Sequence, residues 1–147
     1  MVGISNVKDV IFEGRGVKMK NSAGKTKTSG QSRDDYLEAI LRIVKKKGQC
    51  RSVDIASLLD VSRPSVSIAM RKLAEDGYID IDDHKKITLT ASGKSIARET
   101  FNKHLFFKDI LVKAGIDEET AESEACEMEH CISKSSFKKI KEYYESL

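Results

Sequence analysis

From Asp34 onward apolar residues return every third or fourth position: Tyr36, Leu37, Ile40, Leu41 and Val44. That spacing predicts an amphipathic helix. Three lysines and Gly48 close it, as suits a helix C-terminus. Ser52 is placed to cap a short second helix with a stripe of Val53, Ala56 and Leu59, and Ile55 at its edge. After Asp60-Val61-Ser62 a third helix is expected, capped by Ser62, with Pro64 in its first turn and Val66, Ala69, Met70 and Leu73 turned inward. Gly77 ends it. The period then changes to two. Tyr78–Ile81 and Ile87–Thr90 read as strands joined by the polar loop Asp82-Asp83-His84-Lys85-Lys86. Helix, short turn, helix, then a hairpin is the layout of a winged helix-turn-helix.

The remaining pattern is helical. A long helix starting near Thr90 or Ser92 and reaching about Lys113 carries Ile96, Ala97, Phe101, Leu105, Phe107, Ile110 and Leu111. Gly115 breaks it. Asp117 starts another helix, expected to run from Glu118 to Cys131, and Ser133 caps a last one with Phe137, Ile140, Tyr143 and Tyr144. The expected fold is mainly α: a winged helix-turn-helix DNA-binding domain over residues 34–96, then an all-helical dimerisation and metal-binding domain over residues 97–147. Residues 1–33 read as a basic flexible arm, because residues 18–33 are rich in Lys, Ser, Thr and Gly. Met19, directly before that stretch, is a candidate translational start.

Charge sharpens this division. Residues 1–33 hold seven basic and two acidic residues, +5, which leaves about −2 for the rest of a chain of net charge +3. Residues 117–130 hold seven acidic residues and no Lys or Arg. Such a stretch repels nucleic-acid phosphate and attracts cations. Cys50, Cys126 and Cys131 form no CxxC pair and are odd in number, so a reducing cytoplasm is expected rather than a disulfide framework. No stretch approaches the roughly 20 apolar residues of a membrane span, and neither a secretory signal nor a small organic ligand is indicated.

Two groups of residues carry chemistry. On the acidic helix Glu122, Cys126, Glu129 and His130 follow at i, i+4, i+7 and i+8, one stripe beside the apolar stripe Ala121, Ala125, Met128 and Ile132. Carboxylate, thiolate and imidazole together suit a transition metal. Asp35 and Glu38, one helical turn apart, offer two more carboxylates, although acids in a first turn also answer the helix dipole. His104 stands alone on the long helix. The second group faces DNA: Ser62, Arg63, Pro64, Ser65, Ser67, Arg71 and Lys72 on the third helix, with Lys85 and Lys86 in the wing as phosphate contacts. An enzyme is not expected. Glu129-His130 is not an HExxH motif and no nucleophilic triad is present.

Asp35-Tyr36-Leu37-Glu38-Ala39-Ile40, Asp54-Ile55-Ala56, Ser62-Arg63-Pro64-Ser65-Val66-Ser67, Leu89-Thr90-Ala91-Ser92-Gly93-Lys94, Lys103-His104 and Glu124-Ala125-Cys126-Glu127-Met128-Glu129-His130 resemble the iron- and manganese-dependent repressors of the DtxR/MntR family over residues 33–147. The resemblance implies metal ligands at Asp35, Glu38, His104, Cys126, Glu129 and His130. It implies Mn²⁺ or Fe²⁺ as the sensed ion, with other divalent ions such as Zn²⁺ binding in vitro. It also implies a homodimer on double-stranded operator DNA, repression of metal-homeostasis genes, and metal bridging of the DNA-binding and dimerisation domains. The match is a hybrid. Asp35 and Glu38 follow the manganese branch, whereas Cys126 follows the iron branch. Lys108 and Glu122 stand where the iron branch's ancillary site has an acid and a histidine. The short architecture is closest to the manganese type. The competing expectation is a metal-independent winged-helix regulator whose acidic helix serves protein contacts.

Overall fold

The computed structural model describes residues 29–147, with side chains from residue 32. The apolar patch Val10-Ile11-Phe12, Met19 and most of the basic arm lie outside the described residues. The chain divides into two units, whose described parts are residues 29–101 and 102–147.

In the first unit α1 spans Ser29–Lys47, α2 Ser52–Leu59 and α3 Arg63–Glu75, followed by β1 Ile79–Ile81 and β2 Ile87–Leu89. Helix α1 thus begins five residues before the expected Asp34, so the last residues assigned to the arm are helical. Asp35 and Glu38 consequently lie beyond the first turn, which contains no acid. The dipole effect fades within that turn, so it does not account for these two carboxylates. Gly48 leaves α1 with φ +82°, a left-handed value that a side chain would oppose.

Helix α2 corrects two expectations. Its N-cap is Arg51 and Ser52 is its first helical residue. Asp54 closes the start instead, accepting from the Arg51 backbone N–H at 3.0 Å and from Lys47 at 2.8 Å. The buried side is Ile55, Ala56 and Leu59, whereas Val53 is exposed. The predicted stripe was rotated because a single eight-residue helix offers too few turns to fix its phase.

Helix α3 follows its prediction more closely. Ser62 is the N-cap and its Oγ accepts from the Ser65 N–H at 3.3 Å. Val66, Met70 and Leu73 enter the core and Ala69 is half-buried. The hairpin pairs Ile79 with Leu89 and Ile81 with Ile87, leaving Ile79 and Ile87 in the core. Cys50 bridges to Ile87, whose N–H donates to the Cys50 carbonyl at 2.8 Å. The wing is thereby tied to the α1–α2 turn. Burial pushes the Cys50 thiol up to about 12, so it behaves as a small apolar core residue.

Helix α4, Ala91–Lys113, starts in the first unit and continues into the second, where α5 spans Glu118–Met128 and α6 Lys134–Ser146. Asp117 and Ser133 cap α5 and α6 through bonds from the Thr120 and Ser136 N–H groups. Phe106, Phe107 and Ala125 form the core of this unit, with Phe137, Tyr144 and Ile132 packed against it. Phe106 meets Phe107, Phe137 and Tyr144 edge-to-face, the arrangement that ring quadrupoles favour. No described helix is long and apolar enough to cross a membrane.

Candidate metal centre and nucleic-acid interface

In the second unit α4 and α5 share a core in which Ala125 clusters with Phe106 and Phe107, and Ala121 is also wholly buried. There His104, fully buried on α4, meets the polar stripe of α5. His104 Nδ1 lies 3.5 Å from Cys126 Sγ and 3.1 Å from Glu129 Oε2. One donor atom from each of His104, Cys126 and Glu129 falls within 4.8 Å of the others. Ligands sharing a first-row ion at about 2.0–2.3 Å stand roughly 3–4 Å apart, so the set fits such an ion. Its nitrogen, sulfur and oxygen donors suit a transition metal better than Ca²⁺ or Mg²⁺.

The expected helix to Cys131 ends earlier. Helix α5 stops at Met128, and Glu129 and His130 lie in the turn that follows. Glu129 keeps helical dihedrals, φ −61° and ψ −25°, and its N–H still donates to Ala125. It therefore stays in line with Cys126. The next two N–H groups reach back only three residues, His130 to Glu127 and Cys131 to Met128, the tighter winding common at helix ends. His130 Nε2 then comes to 3.3 Å from Glu129 Oε1. Met128, predicted on the apolar stripe, is exposed at 37%.

The other side of His104 is also engaged. Its Nε2 lies 3.0 Å from Glu122 Oε1, and Glu122 Oε2 lies 3.0 Å from Lys108 Nζ. The chain Lys108–Glu122–His104 backs the donor cluster, in the position where a carboxylate orients a ligating imidazole. Sequence reasoning set Glu122 on the donor stripe and Lys108 at the ancillary position, and connected neither with His104. The available signal was the i, i+4 spacing of His104 and Lys108 on α4, facing an acid on α5.

Asp35 and Glu38 belong to the first unit, on α1, and both are buried. Glu38 is paired with Arg42, whose Nε is 3.2 Å from its carboxylate. The Arg42 guanidinium in turn covers the Phe101 ring at 5.1 Å. A buried carboxylate needs such a partner.

On α3 the residues Arg63, Pro64, Ser65, Ser67, Arg71 and Lys72 are all exposed. Ser62 Oγ serves as the cap and lies 2.7 Å from the Ser65 hydroxyl. Lys72 reaches Asp76 at 3.2 Å along the same helix. In the wing Asp82 accepts from the N–H groups of Lys86 and His84, which hold its carboxyl below the usual carboxylate range. Lys85 takes a left-handed φ of 65° and is exposed, and Lys86 is half-buried.

Two family models match the chain: the iron-dependent repressor N-terminal DNA-binding domain over residues 30–87, and the iron-dependent repressor metal-binding and dimerisation domain over residues 90–147. The transcriptional regulator MntR of Escherichia coli O6:H1 is 34% identical over 103 residues, 70% of this chain and 66% of the relative. An HTH-type transcriptional regulator of Methanocaldococcus jannaschii is 34% identical over 117 residues, 78% of this chain and 94% of that protein. Among solved structures, IdeR of T. acidophilum aligns with a TM-score of 0.69 and 27% identity, over 82% of this chain and 55% of its own. The chain therefore spans just under two thirds of the E. coli relative and about half of the IdeR chain.

Proposed function

Because this chain belongs to the iron-dependent repressor family, we propose that it is a metal-dependent DNA-binding repressor of metal-homeostasis genes. It acts in the cytoplasm as a homodimer on double-stranded operator DNA and responds to Mn²⁺ or Fe²⁺. The observation that carries the reading is the donor cluster of His104, Cys126 and Glu129, within the span matched by the metal-binding domain. A bound ion would supply positive charge among buried anionic donors. His104, Cys126, Glu129 and His130 would hold it in this unit. The sequence resemblance adds Asp35 and Glu38 on α1. Their burial beyond the first helical turn supports a role other than dipole compensation.

The resemblance implies that one ion engages ligands of both domains, and the mechanism follows from that. Engaging them together stabilises one arrangement of the DNA-reading helices over the alternatives. A dimer binds two half-sites about 34–36 Å apart, or a multiple of this, only in a matching arrangement. Without metal, the protein's apparent affinity is lowered by the fraction that already has it. A coupling of about 1–3 kcal/mol changes DNA affinity about 5–150-fold.

The test is anaerobic titration of promoter duplex at fixed salt with chelator, Mn²⁺, Fe²⁺ or Zn²⁺. Mn²⁺ or Fe²⁺ should tighten binding by that factor. Glu129→Ala should abolish the enhancement while circular dichroism stays native. DNA binding indifferent to every metal would overturn the proposal in favour of a metal-independent regulator.

A further inference from the structure

Helix α3 carries a residue that its polar face does not explain. Ile68 is 66% exposed, and among the exposed large apolar side chains of the described residues only Tyr143 and Leu147 exceed it. At about 100° per residue, Ile68 stands opposite the buried stripe of Val66, Met70 and Leu73. Pro64 and Ser65 lie one turn before it on the same face, and Arg71 and Lys72 one turn after. An aliphatic side chain in that place gains nothing from the core of its own unit.

The surroundings specify what covers it. Arg71 and Lys72 flank Ile68 on the exposed side of α3, Arg63 is exposed at the helix start, and the span is matched by a DNA-binding domain. A cationic face of this kind is complementary to duplex phosphate. The early residues of such a helix meet base edges in the major groove. There the only apolar group a base presents is the thymine C5-methyl. Ile68 has neither donor nor acceptor, so guanine or cytosine opposite it would leave a desolvated polar edge without a partner.

We propose that Ile68 is a specificity-determining residue that reads a thymine in each half-site through its C5-methyl group. This rests on the proposed reading of DNA by α3 and not on the metal site. It assigns a role that the hydrogen-bonding residues of the same face cannot fill, recognition by exclusion of polar edges.

The experiment uses the full chain with saturating Mn²⁺. Preferred sites are selected from a random-sequence duplex pool. Each thymine of a selected half-site is then replaced in turn by deoxyuridine, which removes the methyl and leaves pairing intact. One position should weaken wild-type binding about three- to fivefold, the worth of one buried methyl. Ile68→Ala, exposed and so neutral to the fold, should bind the parent site more weakly and be insensitive to that methyl. Ile68→Gln should move the preference there toward adenine, which a glutamine amide pairs bidentately. Wild-type affinity unaffected by every uridine, or an undiminished methyl effect in Ile68→Ala, would overturn the assignment while leaving DNA binding itself intact. Failure to enrich any duplex would instead sink the repressor reading, and Ile68 with it.

Discussion

A single buried imidazole has two nitrogens, and in this chain each faces a different chemistry. His104 turns Nδ1 toward Cys126 and Glu129 and Nε2 toward Glu122, with Lys108 beyond. With Nε2–H directed at Glu122, a neutral imidazole would present its Nδ1 lone pair to an ion held by Cys126 and Glu129. The Lys108 ammonium engages the other oxygen of Glu122, fixing that carboxylate between the two side chains. Glu122→Gln should therefore weaken metal binding about 10–100-fold, the usual cost of losing an orienting partner, without loss of helicity. Titration with Co²⁺, followed by its thiolate absorption, measures this directly, and an unchanged affinity would remove Glu122 from the site. The donor types were legible in the sequence, where Cys126, Glu129 and His130 stand within five residues. The outer partners were less so. Lys108 and Glu122 are ordinary surface residues by composition, and only packing of α4 on α5 makes them neighbours.

Elements inherit their limits from such details. The expected boundaries held where a side chain supplies a missing hydrogen-bond partner: Ser62, Asp117 and Ser133 each cap the helix they were assigned to. They failed where the stop depends on what lies beyond the helix. Helix α1 runs back to Ser29 through polar residues that propensity alone leaves undecided, and α5 ends before the turn that carries Glu129 and His130. One position joins two elements of the first unit. Gly93 is buried in the first turn of α4, where an added Cβ would collide with the Tyr78 carbonyl oxygen just before β1. The same junction is tied by Thr90, whose hydroxyl donates to the Gly77 carbonyl at 2.7 Å. Gly93→Ala gains helix propensity but forces backbone apart, and overpacking costs about 1–3 kcal/mol. A thermal melt should show a lower midpoint for this variant. A midpoint equal to or above wild type would mean that α4 yields there at no cost.

At the scale of the whole molecule, charge is partitioned by task. Basic residues are in excess over residues 1–33 and on α3, acidic ones crowd residues 117–130, and the wing sets Lys85 and Lys86 beside three aspartates. The net charge of +3 conceals this separation. Affinity for DNA should accordingly fall steeply with salt, because each neutralised phosphate releases a counterion. Lys85→Gln should lower the magnitude of the slope of log affinity against log salt by about one, the share of a single neutralised phosphate, with little change in sequence preference. Arg71→Gln should behave differently if it reads a base, altering preference more than slope. Binding isotherms at several salt concentrations separate the two, and an unchanged slope for Lys85→Gln would remove the wing tip from the phosphate-binding surface.

Residue order alone was enough for the winged helix-turn-helix, the helical second half and the donor types, since each is a local matter of period, cap or side-chain chemistry. It also sufficed for the resemblance to metal-dependent repressors that the family models bear out. Three things needed the folded chain. The phase of α2 came from burial, because three turns or fewer leave a stripe ambiguous. The meeting of His104 with Cys126 and Glu129 came from the packing of α5 on α4 around Phe106, Phe107 and Ala125, with His104 and Cys126 22 positions apart in sequence. The early stop of α5, which leaves Glu129 and His130 in a turn, came from the tighter winding of the chain after Met128. Local periodicity decides that a residue is on a face. Only the packing of one helix against another decides what that face meets.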